Sequence, residues 1–516
     1  MKKFLTVLLA GCLVFSLTAC KEKKEASVKT GSENNEISWW IRLYPNIAQT
    51  ASSFSEVPFY QELEKRTNTK INFIHPAAGQ ESEQFNLMLA SGDLPDIITW
   101  DFLASYKGGP QKAIDDGIII DLDPYLEEYA PNYMKVLKEH PEWEKQSTLD
   151  SGKHYTMASF RGDDYLLCWF GPQIRKDLLD KAGLPVPETI DEWDKALRAF
   201  KDMGVKYPLT TKGLQLHWGW LGAYGVAENY YQDNGVVKYA PLEKGYKDFV
   251  AQMAIWYRDG LLDNDFATQD AKTFDSKILS GEAGSYSGSA GGNMGNYIPV
   301  IAEKIPGAKL VGAKYPSLVK GEKSKYGQHD DNYFSSTSVC ITTAAKDPAA
   351  IVKFLDYGYS EEGHMLYNFG IEGESYEMKD GYPTYTELIT KNSEGLSMGT
   401  AMCRYMASSY CGPFVQDKRY YEQYLQYDEQ KEAVKAWGDH DAVLKLPPLT
   451  FTEEESSFIS AKTTEIDTYA KEGILKFIMG QTPMSEYDNF ASNIRKMGVE
   501  DVLKIYQDAY DRYIKR

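Results

Sequence analysis

Residues 83–100 read EQFNLMLASGDLPDIITW, and this stretch decides the fold class. A helical pattern runs from Glu83 to Ala90 and ends at Ser91-Gly92, because glycine readily adopts the left-handed backbone that closes a helix. Leu94-Pro95 then leads into the apolar run 96–100, which is typical of a buried strand. The stretch therefore predicts a helix followed by a strand.

The flanking sequence continues this alternation. It predicts strands at 37–41 and 71–74 with a helix at 59–66 between them. Strands that alternate with helices are typical of βαβ units and a parallel sheet, so we predict an α/β fold. From Phe458 onward the apolar residues recur at helical spacing, which predicts a helical C-terminal tail.

The length of the chain predicts more than one core. The chain has 516 residues, of which 43% are hydrophobic, and single hydrophobic cores stop growing beyond about 250–300 residues. We therefore expect two or more lobes after residue 36. No later apolar stretch reaches the length of about 20 residues that a membrane span needs.

The N-terminus has the parts of a secretory signal. Lys2 and Lys3 precede the apolar stretch 4–17, and small residues follow it. Residues 17–20 read LTAC, which matches the bacterial lipobox. We therefore predict that Cys20 carries a lipid anchor. A secretory signal with a chance cysteine is the alternative.

The predicted signal peptide covers residues 1–19, and residues 20–36 form the anchored cysteine and its tether. This second segment has almost no apolar side chain, so it cannot bury enough surface to fold. One acyl chain holds a protein to a membrane only marginally, whereas two or three hold it permanently. We expect the mature chain on the extracytoplasmic face of the cell membrane.

The charge and the cysteines exclude several kinds of partner. The formal net charge of −18 makes nucleic acid and anionic lipid headgroups poor partners. Cys168 and Cys340 lie in apolar, strand-like runs and are expected to be buried. Cys403 and Cys411 could pair in an oxidising exterior or stay free. No cysteine spacing is typical of zinc, and we expect neither a metal nor a cofactor.

Catalytic motifs were not found in the sequence. It has no His-Glu-x-x-His pair, no Gly-x-Ser-x-Gly elbow and no Walker-type loop. Asp263, Asp265, Asp270 and Asp275 suggest a calcium loop, but the glycine and the terminal glutamate of such a loop are missing, which favours a solvated loop. Pairs of acidic residues leave glycoside hydrolysis open on sequence alone.

Several segments together resemble the family 1 extracellular solute-binding proteins, in particular the large LipO-like lipoproteins of Gram-positive bacteria that serve oligosaccharide importers. In sequence order, these segments extend over nearly all of the mature chain. The segments are Ser91–Asp96 (SGDLPD), Gly117–Asn132 (GIIIDLDPYLEEYAPN), Ile174–Trp193 (IRKDLLDKAGLPVPETIDEW), Trp256–Thr268 (WYRDGLLDNDFAT), Tyr357–Tyr385 and Phe490–Arg516.

The resemblance implies a periplasmic-binding-protein-like fold, with two α/β lobes joined by hinge crossings and a ligand cleft between them. We place the first lobe at 37–160 and 328–395, and the second lobe at 161–327 and 396–516. The resemblance also implies a non-enzymatic, monomeric receptor on the Gram-positive cell surface. It would capture an oligosaccharide and deliver it to the transmembrane subunits of an ABC permease.

In the first lobe, candidate ligand contacts follow the strands. In an open parallel sheet, ligands lie beyond the carboxyl ends of the strands. This rule selects Trp40, Arg42 and Tyr44 after the first strand, and Trp100 and Asp101 after the run at 96–99. Relatives in the family place sugar contacts after both strands, which agrees with the choice.

Candidates in the second lobe combine aromatic rings with planar polar groups, as a sugar site does. For any one of these aromatic residues, a buried core ring is the alternative. Arg161 and Asp163 lie near the first crossing, and Tyr333 and Arg404 are weaker candidates. The second-lobe candidates are Trp218, Trp220, Tyr286, Ser287 and Asn293.

The sequence leaves alternatives open for both the ligand and the function of the protein. A neutral glycan is favoured, because a strongly acidic chain suits an anionic ligand less well without compensating arginines. Plant cell-wall fragments are among the glycans that the family uses. A peptide or a modified sugar is also open, as are two other functions: a sensory co-receptor for the same ligand and a lipid-anchored glycoside hydrolase.

Overall fold

The computed structural model describes residues 36–327, 332–441 and 443–516. Cys20, the predicted signal and residues 20–35 of the predicted tether lie outside these residues, whereas Glu36, the last residue of that tether, begins the first strand. Strands and helices alternate, which confirms the α/β class. The strands are β1 (Glu36–Trp40), β2 (Lys70–Ile74), β3 (Ile97–Asp101), β4 (Met157–Arg161), β5 (Phe170–Arg175), β6 (Tyr230–Asp233), β7 (Val236–Tyr239), β8 (Ser285–Ser289), β9 (Leu310–Gly312), β10 (Phe334–Ile341), β11 (Tyr376–Lys379), β12 (Tyr382–Tyr385) and β13 (Val415–Gln416).

Helices cover both faces of the larger sheet and form the C-terminal tail. They are α1 (Pro58–Thr67), α2 (Glu81–Ser91), α3 (Phe102–Ser105), α4 (Gly109–Asp115), α5 (Asp123–Tyr129), α6 (Pro131–Glu139), α7 (Pro141–Ser147), α8 (Lys176–Ala182), α9 (Ile190–Asp202), α10 (His217–Trp220), α11 (Lys244–Arg258), α12 (Ala271–Leu279), α13 (Gly295–Lys304), α14 (Pro348–Asp356), α15 (Glu361–Phe369), α16 (Glu387–Thr390), α17 (Met398–Tyr405), α18 (Lys418–Tyr424), α19 (Asp428–Trp437), α20 (Glu453–Ile478), α21 (Tyr487–Lys496) and α22 (Val499–Lys515). Within the described ranges, none of them has both the length and the apolar character of a membrane span.

The first lobe is built on a six-stranded sheet in the order β13-β4-β10-β3-β1-β2. β1 pairs in parallel with β2 and β3, whereas β10 runs antiparallel to β3 and β4. The predicted helix and strand at 83–100 are confirmed as α2 and β3, with Gly92 in the left-handed conformation between them. The Asp96 carboxylate accepts hydrogen bonds from the backbone and hydroxyl of Ser38 and so ties β3 to β1.

The second lobe is built on a smaller sheet in the order β8-β5-β9, surrounded by helices. Thr189 caps α9, because its hydroxyl accepts the Glu192 backbone N–H, while the Glu192 carboxylate accepts the backbone N–H of Glu188. The helical tail is confirmed as α20, α21 and α22, whose apolar faces join the core of this lobe. Thr452 and Glu455 cap α20 reciprocally, as their spacing predicts.

Three crossings join the lobes: β4 to β5, β9 to β10, and the segment after β13. The third crossing differs from the boundary that we predicted at residue 395. β13 pairs with β4 in the first-lobe sheet, and α17 packs against α1 of the same lobe. The chain therefore leaves the first lobe near residue 417, where Asp417 caps α18. The short β13 has no alternating apolar pattern that marks it as a strand.

The crossings define a rim that we call the interlobe edge. On the first lobe it consists of the carboxyl ends of β1, β3 and β4 and the amino end of β10. On the second lobe it consists of the start of β5, the end of β8 and the turn α10. Phe170, the first residue of β5, pairs with Ser289, the last residue of β8. Both strands therefore reach the edge at which the chain enters the second lobe.

The end of α22 extends from the second lobe to the first. The Arg512 guanidinium bonds Asp150 of the first lobe at 2.9 Å and Glu455 of α20 at 2.7 Å. Arg516 makes a second ion pair with Asp150 at 3.4 Å. Lys145 of α7 lies 4.8 Å from the ring centre of Tyr513. These contacts are polar, as is typical of interfaces between parts that move relative to each other.

We predict that Arg512→Ala increases the motion of the two lobes relative to each other. The change removes the ion pairs to Asp150 and Glu455, and we expect a loss of about 1 kcal/mol in the free energy of unfolding, because the groups are partly exposed. Single-molecule energy transfer between dyes on the two lobes should show a broader distribution of interlobe distances for Arg512→Ala than for the wild type. High salt screens the ion pairs and should broaden the distribution of the wild type as well.

Arg495→Ala is the matched control for this prediction. Arg495 pairs with Glu500 at 3.4 Å within the second lobe, so its loss should leave the interlobe distances unchanged. Equal distributions for wild type and Arg512→Ala at low salt would contradict a restraint by α22.

Candidate functional site

Trp100 is the partly exposed aromatic residue at the end of β3. Its ring meets Trp40 edge to face, with 5.5 Å between ring centres. Its indole N–H is buried without a hydrogen-bond partner among the described residues. A buried donor without a partner is costly. Trp100 therefore presents part of its ring at the interlobe edge, and its buried N–H lacks a partner among the described residues.

The prediction that Trp40 reaches the ligand is not supported by its burial. Trp40 is only 3% exposed and Trp39 1%, because helices cover both faces of a sheet of this kind. Strand alternation points the two rings to opposite faces, yet both faces are core. Trp40 packs against Phe85 and Trp100, so it supports Trp100 from beneath.

Arg42 and Tyr44 form the next part of the edge. Tyr44 is buried, in contrast to the prediction, and stacks on Tyr410 with 3.7 Å between ring centres. Arg42 is exposed, and its guanidinium carbon lies 5.2 Å from the Tyr44 ring centre. Arg42 is therefore available to a ligand, whereas Tyr44 positions the loop.

Asp101 lies at the edge but has partners of its own. One carboxylate oxygen accepts the Ala104 backbone N–H at 3.0 Å and caps α3. The other oxygen accepts the hydroxyl of Ser336 at 2.6 Å. The side chain is partly exposed. Asp101 is thus held in a fixed position beside Trp100, where its oxygens can also accept hydroxyl groups.

Trp218 and Trp220 of α10 differ in exposure. Trp218 is partly exposed and meets Phe170 edge to face at 5.2 Å. Trp220 is 0% exposed and packs against Trp193 in the second-lobe core, so its ring does not reach the interlobe edge in this structure. Residues that are two positions apart on a helix differ by about 200° around its axis, which explains why the Trp218 ring faces out and the Trp220 ring faces in.

Residues of β8 were predicted as sugar contacts, but they are mostly buried. Tyr286 is 2% exposed and donates its hydroxyl to Gln173 at 2.7 Å. Ser287 is also buried, and its hydroxyl has no hydrogen-bond partner among the described residues. Asn293 uses its amide oxygen to accept the Ser289 backbone N–H at 2.9 Å. Tyr286 and Asn293 therefore shape the edge from within.

Charged candidates near the crossings are held by neighbouring groups. Arg161 donates to the backbone oxygen of Leu166 at 3.0 Å. Asp163 pairs with Lys418 at 3.1 Å, which joins the first and third crossings. In this structure Arg161 and Asp163 therefore stabilise the crossings between the lobes.

Tyr333 and Arg404 likewise have protein partners. Tyr333 donates its hydroxyl to Asp164 and stacks on Trp143. Arg404 bonds Glu394 at 2.9 Å. Both side chains stay partly exposed, but their interactions stabilise the protein itself.

Trp169 is a candidate that sequence reasoning missed. It lies in the run 167–170, whose apolar character we interpreted as a buried strand. In the structure Trp169 directly precedes β5 and is partly exposed, and its indole N–H has no hydrogen-bond partner among the described residues. Its position on the first crossing, next to the end of β8, could have been found only by knowing where the strand begins.

The acidic run after α11 does not form a calcium loop. Asp263 is 3% exposed and pairs with Lys277 at 2.6 Å, so it is not part of a solvated loop either. Asp270 caps α12, and Asp275 accepts the hydroxyl of Tyr297. Within the described residues, no group of three or more potential metal ligands is present.

The predicted alternatives for Cys403 and Cys411 can be compared with the described part of the chain, where the two thiols do not form a disulfide. Cys403 and Cys411 are free, which decides between the two alternatives. Cys168 and Cys340 are buried, as predicted. Burial raises the pKa of the Cys340 thiol well above its usual value, so it behaves as a small apolar group.

Comparison with known proteins agrees with this architecture. A match to the bacterial extracellular solute-binding proteins covers residues 47–365. The chain belongs to this family.

Relatives match this solute-binding protein along most of its length. Lipoprotein LipO of Bacillus subtilis is 22% identical over 98% of this chain and 99% of its own. The fructooligosaccharide ABC transporter substrate-binding protein FusA of Streptococcus pneumoniae is 23% identical over 88% of this chain and 86% of its own. The polygalacturonan/rhamnogalacturonan-binding protein YtcQ of Bacillus subtilis is 23% identical over 98% of both chains.

Solved structures share the fold of this solute-binding protein. The alginate-binding protein AlgQ2 superposes with a TM-score of 0.77 at 24% identity, over 95% of this chain and 100% of its own. The FusA complex with kestose gives a TM-score of 0.74 at 20% identity, over 93% and 99%. These similarities confirm the predicted two-lobe, periplasmic-binding-protein-like fold.

We predict that Trp100→Ala and Trp218→Ala each weaken ligand binding by about tenfold or more, since 1.4 kcal/mol of lost contact is a factor of ten. Isothermal titration calorimetry with the ligand measures the change in Kd. Trp220→Phe is the control, because its ring lies in the core and should affect stability alone. Wild-type affinity in both alanine variants would show that the site is elsewhere.

Proposed function

We propose that the protein captures an oligosaccharide between its two lobes and delivers it to an ABC permease. The observation that carries this proposal is the pair of partly exposed tryptophans, Trp100 on the first lobe and Trp218 on the second. Each ring lies at the interlobe edge and rests edge-on against a buried aromatic residue. Closure of the lobes would bring both rings to one ligand.

The polar groups beside these rings suit a sugar. Sugars present C–H faces ringed by hydroxyl groups, so their sites combine flat rings with planar polar side chains. Asp101 accepts hydrogen bonds beside Trp100, and the indole N–H groups of Trp100 and Trp169 are donors without protein partners in the described chain. Arg42 is a further donor on the same edge.

A neutral glycan is favoured by the way in which the charges are used. Of the candidate arginines, Arg161 and Arg404 already donate to protein acceptors, which leaves only Arg42 available among them, and Asp101 adds a negative charge at the edge. A polyanionic ligand would need arginines that are free to pair with it. Fructooligosaccharide, which FusA is named for, is neutral, whereas the polygalacturonan of YtcQ is acidic. A neutral plant-derived oligosaccharide is therefore the proposed ligand.

Capture rather than hydrolysis is supported by the carboxylates of the edge. A glycosidase needs one carboxyl group to donate a proton and another to act as nucleophile or base. Asp101 caps a helix, Asp163 pairs with Lys418 and Asp164 accepts from Tyr333. The oligosaccharide-binding relatives above are also named as binding proteins. The ligand must stabilise the closed arrangement more than the open one to drive closure.

The cellular arrangement follows from the N-terminus. We propose that Cys20 carries the lipid anchor and that the mature chain acts as a monomer on the outer face of the cell membrane. The similarity to a lipoprotein along nearly the whole chain supports this arrangement. The tether would let the lobes reach the permease while the anchor keeps them near it.

A melting experiment with the chain from residue 21 onward tests the function. We expect one class of oligosaccharide to raise the melting temperature, because ligand at 100 times its Kd adds about 2.7 kcal/mol to the free energy of unfolding. The panel includes neutral and acidic oligosaccharides, their monosaccharides and peptides.

Mass spectrometry of the recovered glycan separates binding from hydrolysis. An intact glycan supports a receptor, whereas shorter products indicate an enzyme. A response to peptides alone, or no response to any sugar, would refute the proposed ligand class. A glycan that binds while the neighbouring genes encode a sensor kinase and no permease would favour a sensory co-receptor.

A further inference from the structure

A second concave surface adjoins Trp218 on the second lobe. It is a pocket of about 440 Å³ between the turn 212–218, the segment 228–229 and residues 467–475 of α20. We call it the α20 pocket. Its volume lies within the range of about 300–1,000 Å³ that is typical of small-molecule sites. Trp218 belongs both to its lining and to the interlobe edge.

The wall next to Trp218 is held by a buried polar network. His217 is 6% exposed, and its Nε2 lies 2.9 Å from the hydroxyl of Tyr246. Its Nδ1 faces a carboxylate oxygen of Glu228 at 3.6 Å. The side chains that border the pocket on this side are therefore fixed in position before any ligand arrives.

Glu228 is kept ionised by this network. Burial raises the pKa of its carboxyl group, but the interactions with His217, Tyr326 and Trp218 together outweigh that effect, so the pKa lies below its usual value. Tyr326 and Trp218 also hydrogen-bond to the carboxylate. A partly exposed carboxylate of this kind accepts hydroxyl groups well.

The lining of the pocket also includes polar groups that are exposed or partly exposed. Asn229 and Gln215 contribute amides, and Lys471 of α20 contributes an ammonium group. Asn229 has a left-handed backbone, with φ of +54°, at the rim of the pocket. Aromatic, amide and carboxylate groups around one concavity repeat the combination found at the interlobe edge.

We propose that the α20 pocket is an accessory subsite that holds the outer end of a longer glycan. The α10 turn places Trp218 at the boundary of both surfaces, because Gly219 packs directly against Ser287 of β8. A chain bound between the lobes continues past Trp218 into the pocket. This inference rests on the proposed function, and it assigns a preference for long over short oligosaccharides.

The test compares two lengths of one glycan. The double variant Asn229→Gly and Lys471→Ala removes polar groups from the pocket, and glycine accepts the left-handed backbone at 229 without strain. The probes are the trisaccharide and the hexasaccharide of the class that raises the melting temperature most. Titration calorimetry should show roughly tenfold weaker hexasaccharide binding and unchanged trisaccharide binding.

A matched control is available in the same lobe. Asn234 also has a left-handed backbone, with φ of +52°, and Lys476 lies on α20 paired with Glu472. Neither residue lines the pocket, so the variant Asn234→Gly and Lys476→Ala should bind both lengths like the wild type.

The remaining outcomes separate the inference from the function beneath it. Unchanged hexasaccharide binding in the pocket variant would overturn the subsite and leave the proposed function standing. Equal loss for both lengths would also overturn it, because the damage would then lie at the shared site. If no class of oligosaccharide raises the melting temperature of the wild type, there is no glycan to compare at two lengths, and the proposed function itself is refuted.

Discussion

The pairing of β4 with β10 is the constraint on which the rest of the structure depends. Phe160 and Phe334 face each other in register at the interlobe edge. Deeper in the sheet, the Thr156 hydroxyl donates to the Val339 backbone oxygen at 2.8 Å. Because β4 leads into the second lobe and β10 returns from it, this ladder holds two crossings side by side. β13 adds the third crossing on the other side of β4.

The aromatic residues divide into two roles because of this arrangement. Trp40 and Phe170 are buried and support Trp100 and Trp218 from within, whereas Tyr44 and Trp220 pack elsewhere in the core. Trp100 and Trp218 lie at the surface, where the strands end and the backbone turns toward the other lobe. A rigid ring behind a partly exposed one limits its motion before the ligand arrives, which lowers the ordering cost of binding.

The sequence predicted the fold better than the site. Gly92 and Pro95 mark the helix end and strand start that the structure contains, because their backbone preferences are local. The N-caps of α9 and α20 are equally local, because Thr189 and Thr452 each precede a glutamate by three residues. The third crossing was missed because β13 has two residues and its pairing with β4 is a long-range contact.

Exposure of individual aromatic residues could not be predicted from neighbours alone. Trp218 and Trp220 share the same glycine-rich turn, yet only the packing of α10 decides which ring faces out. Trp169 was hidden in an apolar run for a similar reason. Local chemistry indicates that a segment suits a sugar, whereas the tertiary contacts select the side chains that reach it.

Hydrogen–deuterium exchange with and without a bound oligosaccharide tests the central claim most directly. Capture between the lobes predicts slower exchange in both edge segments together, 100–105 on the first lobe and 217–220 on the second, with the glycan recovered intact. Protection confined to one lobe, or away from both segments, would contradict capture by closure around Trp100 and Trp218.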